Sequence, residues 1–220
     1  MDGWEGIEAA LQKKRVQLAL KRALDVLLSA AGLVLLSPVL LACAAAVKLD
    51  SPGPALYRQV RVGRGGREFR IFKLRTMTDG ADGRGMQITV GGDARITRVG
   101  AVLRKYKLDE LAQLLNVLRG EMSFVGPRPE VPRYVRLYSQ AQRKVLLVRP
   151  GITDPASIAY RNENDLLAQS DDPERTYVEE IMPAKLELNR RYIETFSLLG
   201  DLRLIGRTIR AVAGGRGPEA

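Results

Sequence analysis

Between Ala23 and Val47 the chain carries one long apolar run, interrupted chiefly by Asp25, Ser29 and Ser37. As a helix it would reach ~37 Å, against a hydrocarbon core of ~30 Å. Such a run has three destinations. It spans a bilayer, enters and returns on one side, or forms the buried helix of a soluble protein. It is not a secretory signal, because it is too long and a basic segment follows directly. Ser37-Pro38 lies near its middle, where proline removes a helix hydrogen bond and crowds the carbonyl four residues back. Spanning helices tolerate such a kink, so the proline alone decides little. The flanking charges say more. Arg15, Lys21 and Arg22 precede the run, and Lys48, Arg58, Arg61, Arg64 and Arg67 follow it. Positive charge marks the cytoplasmic side. Both flanks carry that mark, so a re-entrant run fits better than a crossing.

The remainder divides around this stretch. Residues 1–22 read as a basic amphipathic helix, either a solvated arm or an interfacial helix on anionic lipid. Residues 23–50 are the membrane segment, broken at Ser37-Pro38. The turn cluster Asp50-Ser-Pro-Gly-Pro54 opens a domain over 51–197. Residues 198–220 form an amphipathic helix, about Leu198 to Val212, and a disordered tail from Gly214. Within the domain, Leu56 to Val62 and Glu68 to Met77 read as strands of a hairpin turning at Gly63-Arg-Gly-Gly66. Phe69, Ile71, Lys73 and Arg75 share one strand face by period two; two cations there fit a solvated edge. Asp79 to Gly92 reads as a polar loop. Asp93 would cap a helix to Tyr106 with a buried stripe of Val99, Val102, Leu103 and Tyr106. Val131 to Val148 and residues 170–195 read as further helices. The fold class is therefore α+β: a small mixed domain of helices with a short β-hairpin, attached to an N-terminal re-entrant membrane hairpin and amphipathic interfacial helices.

Composition narrows the chemistry. The chain has no histidine, which excludes a Ser-His-Asp triad, a Cys-His pair and a His-ligated metal. The lone Cys43 lies in the apolar run and reads as a small hydrophobe. Lys and Arg number 35 against 25 acids, a net charge of +10, so the partner is anionic: phosphorylated substrate, acidic lipid or nucleic acid.

One stretch concentrates the remaining chemistry. Asp109 and Glu110 open a short helix with Leu111, Leu114, Leu115 and Leu118 at helical spacing, stopped by Gly120. Asp109, Gln113 and Asn116 fall on one polar face. The plain reading is a pair of carboxylates complementing a helix dipole. Cations crowd the pair, however: Arg104, Lys105 and Lys107 before, Arg119 and Arg128 after. Gly126-Pro-Arg-Pro129 fixes a rigid turn presenting one guanidinium, suited to a phosphate or carboxylate. Adjacent carboxylates do not face each other across a substrate as in a glycosidase. They suit a magnesium-phosphate site, since Mg²⁺ takes one or two carboxylates and completes its shell with water and phosphate.

Asp109-Glu110-Leu, Asn116-Val-Leu-Arg-Gly120 and Met122-Ser-Phe-Val-Gly-Pro-Arg-Pro129 resemble the signature of the bacterial sugar transferases, the monotopic polyprenyl-phosphate phosphoglycosyl transferases. Lys73-Leu-Arg-Thr-Met77, Arg149-Pro-Gly-Ile-Thr153 and Arg161-Asn162 extend the resemblance over roughly residues 20–210. Many relatives carry Gly-Trp-x-Gln where this chain has Asp154-Pro155-Ala156-Ser157, so the donor pocket departs from the family pattern there. Some members carry additional N-terminal spans; the stretch before Ala23 is expected to hold none.

The resemblance implies a helix-break-helix hairpin bent at Ser37-Pro38 and a catalytic domain on the cytoplasmic face of the bacterial inner membrane. It implies that Asp109 is the nucleophile taking sugar 1-phosphate from a UDP-sugar, with release of UMP. Polyprenyl phosphate then displaces the sugar phosphate. It implies Mg²⁺ on Glu110 with Asp109, and phosphate-binding roles for Lys73, Arg75, Arg104, Arg128 and Arg161. Two rivals stand beside it: a non-catalytic membrane-anchored adaptor on anionic lipid or nucleic acid, and a soluble magnesium phosphotransferase. Aromatics are only 5% and no nucleic-acid module appears, which argues against nucleic acid. The sugar, the glycoconjugate pathway and the oligomeric state are not legible.

Overall fold

The computed structural model describes residues 6–81, 88 and 93–213. Most of the expected loop at Asp79 to Gly92, and the tail from Gly214, lie outside the described residues.

Two helices begin the chain, α1 (Ile7–Lys13) and α2 (Arg15–Asp50). Helix is thus found where expected, but the junction falls at Lys14 rather than Ala23. At 36 residues, α2 would be ~54 Å long if straight. It is long and apolar enough to cross a membrane. The expected break is not an end to the helix: Ser37 and Pro38 both lie within it, and the Ser37 hydroxyl donates to the Val34 carbonyl at 2.7 Å.

Both ends of α2 are fastened to the rest of the chain. Arg22 donates to the carbonyls of Val117 (2.6 Å) and Leu118 (3.0 Å), and Asp25 accepts the Phe124 N–H. At the far end Val47 packs with Leu74 and Leu103, joined by Cys43 and Ala44, and Asp50 accepts the Val99 N–H. Cys43 is therefore a small packing residue. Between these attachments Leu35 is 75% exposed and Leu41 71%.

The domain that holds both ends is built on two small sheets. Strands β1 (Leu56–Val62) and β2 (Glu68–Leu74) form the expected antiparallel hairpin, with Leu56 opposite Leu74 and Val62 opposite Glu68. β2 is not a solvated edge, because Ile71, Phe72 and Leu74 are buried. The second sheet pairs β3 (Ser123–Val125) in parallel with β4 (Gly151–Thr153). It joins two motifs distant in sequence. The Gly126 N–H donates to the Thr153 carbonyl, and the Gly151 N–H to the Pro127 carbonyl, each at 3.0 Å. A Cβ at Gly151 would lie 2.1 Å from the Gly126 nitrogen. Only two glycines allow so close a backbone approach.

Between the sheets come α3 (Arg98–Lys105) and α4 (Leu114–Arg119). Thr97, not Asp93, caps α3; Asp93 instead grips Arg95 in the preceding turn. Of the expected stripe on α3, Leu103 is buried and Val99 packs beside it. Val102 and Tyr106 are exposed. The long helix expected over Val131–Val148 is only α5 (Pro132–Val135) and a 3-10 segment, Gln142–Leu147. Its apolar residues still reach the main core, where Tyr134, Tyr138 and Val145 pack with Leu167, Tyr177, Leu186 and Ile193.

The chain ends in α6 (Pro155–Ala159), α7 (Glu163–Ala168), α8 (Pro173–Thr176), a π turn, α9 (Met182–Thr195) and α10 (Leu198–Ala213). Asp172 caps α8, with Pro173 opening its first turn. On α10, Leu199, Leu202 and Ile209 are exposed, while Asp201 is buried against Lys21 and the Tyr192 hydroxyl. The result is a mixed helical domain with small sheets and one long apolar N-terminal helix.

Candidate active site

The carboxylate pair does not open an α-helix directly. Lys107 adopts a left-handed conformation, φ 56°, rare for a residue with a side chain. It starts a 3-10 turn, Leu108–Gln113, that leads into α4. Gly120, at φ 85°, ends the helix as its spacing predicts. The turn packs against β2, which buries both carboxylates: Asp109 is 6% exposed and Glu110 8%.

The two acids have different surroundings. Glu110 is held by two cations. Lys73 Nζ lies 3.0 Å from its Oε1 and Arg128 Nη2 2.6 Å from the same oxygen; Arg128 Nη1 reaches Oε2 at 3.4 Å. Burial alone would raise the Glu110 pKa, but Arg128 and Lys73 outweigh it and hold the carboxyl well below its usual range. Lys73 is itself pushed down by burial, partly offset by Glu110. Asp109 goes the other way. Burial pushes it up, Lys73 opposes the rise, and Glu110 adds to it. Asp109 Oδ1 is buried and accepts no hydrogen bond from the described residues. One acid is thus clamped and ionised, and its neighbour keeps an oxygen uncommitted.

Arg128 is aimed by its backbone. The Gly126-Pro-Arg-Pro129 turn is pinned by the glycine contact described above, and the Arg128 N–H donates to Asp154 Oδ2 at 3.0 Å. Asp154 is wholly buried, and its Oδ1 caps α6 through the Ser157 N–H at 2.6 Å. Asp154, marked in the sequence only as part of a departure from the family pattern, is a positioning residue. Its signal was present, since Asp followed by Pro is a cap and first helical position.

Lys73, Arg104, Asp109, Glu110, Arg128 and Arg161 line one cavity of about 370 Å³, together with Lys107. Arg104 is fixed by its Nε bond to Thr76 Oγ1 at 2.8 Å, and burial lowers its pKa. Arg75 does not join them. It follows β2 and donates to the carbonyls of Pro52 and Ser51, clasping the turn after α2. The polar face of Asp109, Gln113 and Asn116 exists but is buried. Asn116 accepts the Phe72 N–H and donates to the Arg70 carbonyl and Glu121, so it braces β2. Ser37 and Pro38 lie in the middle of α2, away from this cavity.

No cluster of three or more potential metal ligands occurs among the described residues. The pair of carboxylates, with one oxygen uncommitted, still fits Mg²⁺, which is commonly held by one or two carboxylates and substrate phosphates rather than by a protein cage.

Residues 16–215 match the family described as bacterial sugar transferase. The chain belongs to that family. Among its relatives, a UDP-glucose:undecaprenyl-phosphate glucose-1-phosphate transferase of Caulobacter vibrioides is 42% identical over 192 residues, covering 86% of this chain and 68% of that protein. A UDP-N-acetylgalactosamine-undecaprenyl-phosphate N-acetylgalactosaminephosphotransferase of Aeromonas hydrophila is 39% identical over 201 residues, 90% of this chain. An exopolysaccharide production protein of Rhizobium leguminosarum bv. phaseoli is 37% identical over 211 residues, covering 92% of this chain and all of that protein. This bacterial sugar transferase thus spans only 44% of the Aeromonas relative's length, but the whole of the Rhizobium one.

Proposed function

We propose that the chain is a phosphoglycosyl transferase, moving sugar 1-phosphate from a UDP-sugar to polyprenyl phosphate and releasing UMP. The observation that carries this reading is the division of labour in the acid pair. Glu110 is locked between Lys73 and Arg128, while Asp109, a lining residue of the same cation-lined cavity, keeps a buried Oδ1 with no hydrogen-bond partner among the described residues.

In the first step an Asp109 oxygen forms a bond to the sugar-linked phosphorus. The bond from that phosphorus to the bridging oxygen breaks, and UMP leaves with the electron pair. In the second, a phosphate oxygen of polyprenyl phosphate bonds to the same phosphorus, and the acyl-phosphate bond from that phosphorus to the Asp109 oxygen breaks, the electron pair returning to the carboxylate. The product is polyprenyl diphosphate-sugar, and the carboxylate is restored. Arg128, Lys73, Arg104 and Arg161 supply the positive field that phosphoryl transfer needs. Mg²⁺, held by Asp109 and Glu110, would neutralise charge on the diphosphate oxygens.

The reading places the domain on the cytoplasmic face of the inner membrane, with α2 re-entrant and bent at Pro38. The attachments of α2 support this. Arg22 and Asp25 at one end, and Val47 and Asp50 at the other, grip the same domain, while Leu35 and Leu41 between them are bare. A helix whose two ends are tied to one water-facing domain does not deliver them to opposite sides. The acceptor's tail stays in the bilayer and its phosphate lies at headgroup depth, where such an anchor holds the cavity. A mere adaptor has no use for a cation-lined cavity around a carboxylate with an uncommitted oxygen.

The test is UMP release from UDP-sugars by the full chain in lipid. The reading expects release that requires both polyprenyl phosphate and Mg²⁺ for turnover. No release from any UDP-sugar under those conditions would overturn it.

A further inference from the structure

Three residues lining the same cavity each carry a buried polar atom that has no hydrogen-bond partner among the described residues and no part in the phosphate chemistry. The atoms are the Tyr134 hydroxyl, Ser157 Oγ and Asn189 Oδ1. Tyr134 is 1% exposed and Asn189 5%. An unpaired buried polar atom destabilises a fold, and native chains leave few of them. Three such atoms on residues that line one cavity point to a ligand.

Their chemistry says which kind. None carries a charge. Two are hydroxyls able to donate and accept, and one is an amide carbonyl able to accept. That set complements ring hydroxyls rather than phosphate, which the cavity's cations already serve. Their placement joins the two functions. Ser157 sits in the first turn of α6, whose cap Asp154 also takes the Arg128 N–H. The guanidinium that faces Glu110 and the serine are therefore referenced to one buried carboxylate. α6 packs on α9, which carries Asn189, and the Tyr134 ring is held against Tyr177 at 5.0 Å between centroids.

We propose that Tyr134, Ser157 and Asn189 form a neutral subsite that selects the donor's sugar by the orientation of its ring hydroxyls. The proposal rests on the phosphoglycosyl transfer reading. A site built to hydrogen-bond hydroxyls rejects a ligand that cannot pair with it, because its own polar atoms are then stranded. The ribose of the same donor also carries hydroxyls, and the experiment has to separate the two.

Tyr134→Phe, Ser157→Ala and Asn189→Leu, each in the full chain, are assayed for kcat/KM on UDP-glucose, UDP-galactose and their N-acetyl forms. Inhibition by UDP and thermal unfolding are measured beside them. The subsite predicts that discrimination between epimeric donors falls about tenfold or more in at least two variants. UDP inhibition stays unchanged, and Tm is unchanged or higher, because each variant removes an unpaired atom. Equal loss on every donor together with weaker UDP inhibition would assign the atoms to ribose and overturn the sugar subsite. Unchanged discrimination would overturn it as well. Wild-type UMP release is read first: if it is absent with every donor, the transfer reading fails and takes the subsite with it.

Discussion

At the scale of single residues, two buried polar side chains one helical segment apart have opposite duties. Asn116 satisfies the buried Phe72 N–H, the Arg70 carbonyl and Glu121. Asn116→Leu strands those groups and is expected to cost about 2–4 kcal/mol of stability, read by thermal or denaturant unfolding. Asp109 satisfies nothing on Oδ1 and is held in a burial that disfavours its charge. Asp109→Asn is therefore expected to abolish turnover while leaving Tm unchanged or raised, the usual relation where a site is built against stability. A lowered Tm in Asp109→Asn would show that the carboxylate is structural. Sequence made the acid pair legible because a run of ordered motif residues surrounds it. Alternation misplaced Arg75 because a two-residue period does not reveal that the strand stops at Leu74. The role of Asp154 escaped because it lies in a hydrogen bond to a backbone 26 residues away.

At the scale of elements, periodicity located helices better than it bounded them. The Val131–Val148 stretch shows apolar residues at helical spacing, yet only four residues are α-helical there. Helix period records which residues turn inward, and tight turns around Tyr134 and Val145 turn the same residues inward. The reading of α2 was stronger, because its length and its basic flanks are both physical limits. The proposed bend at Pro38 carries a prediction. Ser37→Ala with Pro38→Leu restores the missing helix hydrogen bond and favours a straight span. A reporter at the N-terminus should then shift to the opposite face, with loss of the Arg22 contacts to Val117 and Leu118. If labelling finds both ends on one face before and after, Pro38 does not set the topology.

At the scale of the whole molecule, an excess of cations, an apolar helix fastened at both ends and a cavity around an acid pair serve one arrangement. On the proposed function both substrates and the lipid surface are anionic, and the acceptor cannot leave the bilayer. A small basic domain anchored at headgroup depth would then meet both without extracting the lipid. Charge balance alone gave the anionic partners but not their identity, since nucleic acid and lipid attract the same cations. The closure of Lys73 on β2, Glu110 on the 3-10 turn and Arg128 after β3 could not be read from spacing, because parallel pairing of β3 with β4 brings the last into place.

The claim beneath all of this is that Asp109 forms a bond to phosphorus. Mass spectrometry of the full chain incubated with a UDP-sugar and Mg²⁺, without acceptor, measures it directly. The account predicts a sugar-phosphate adduct on the peptide bearing Asp109, absent in Asp109→Asn and discharged by polyprenyl phosphate. Turnover by wild type with no adduct at any time, or an adduct on another residue, would contradict it.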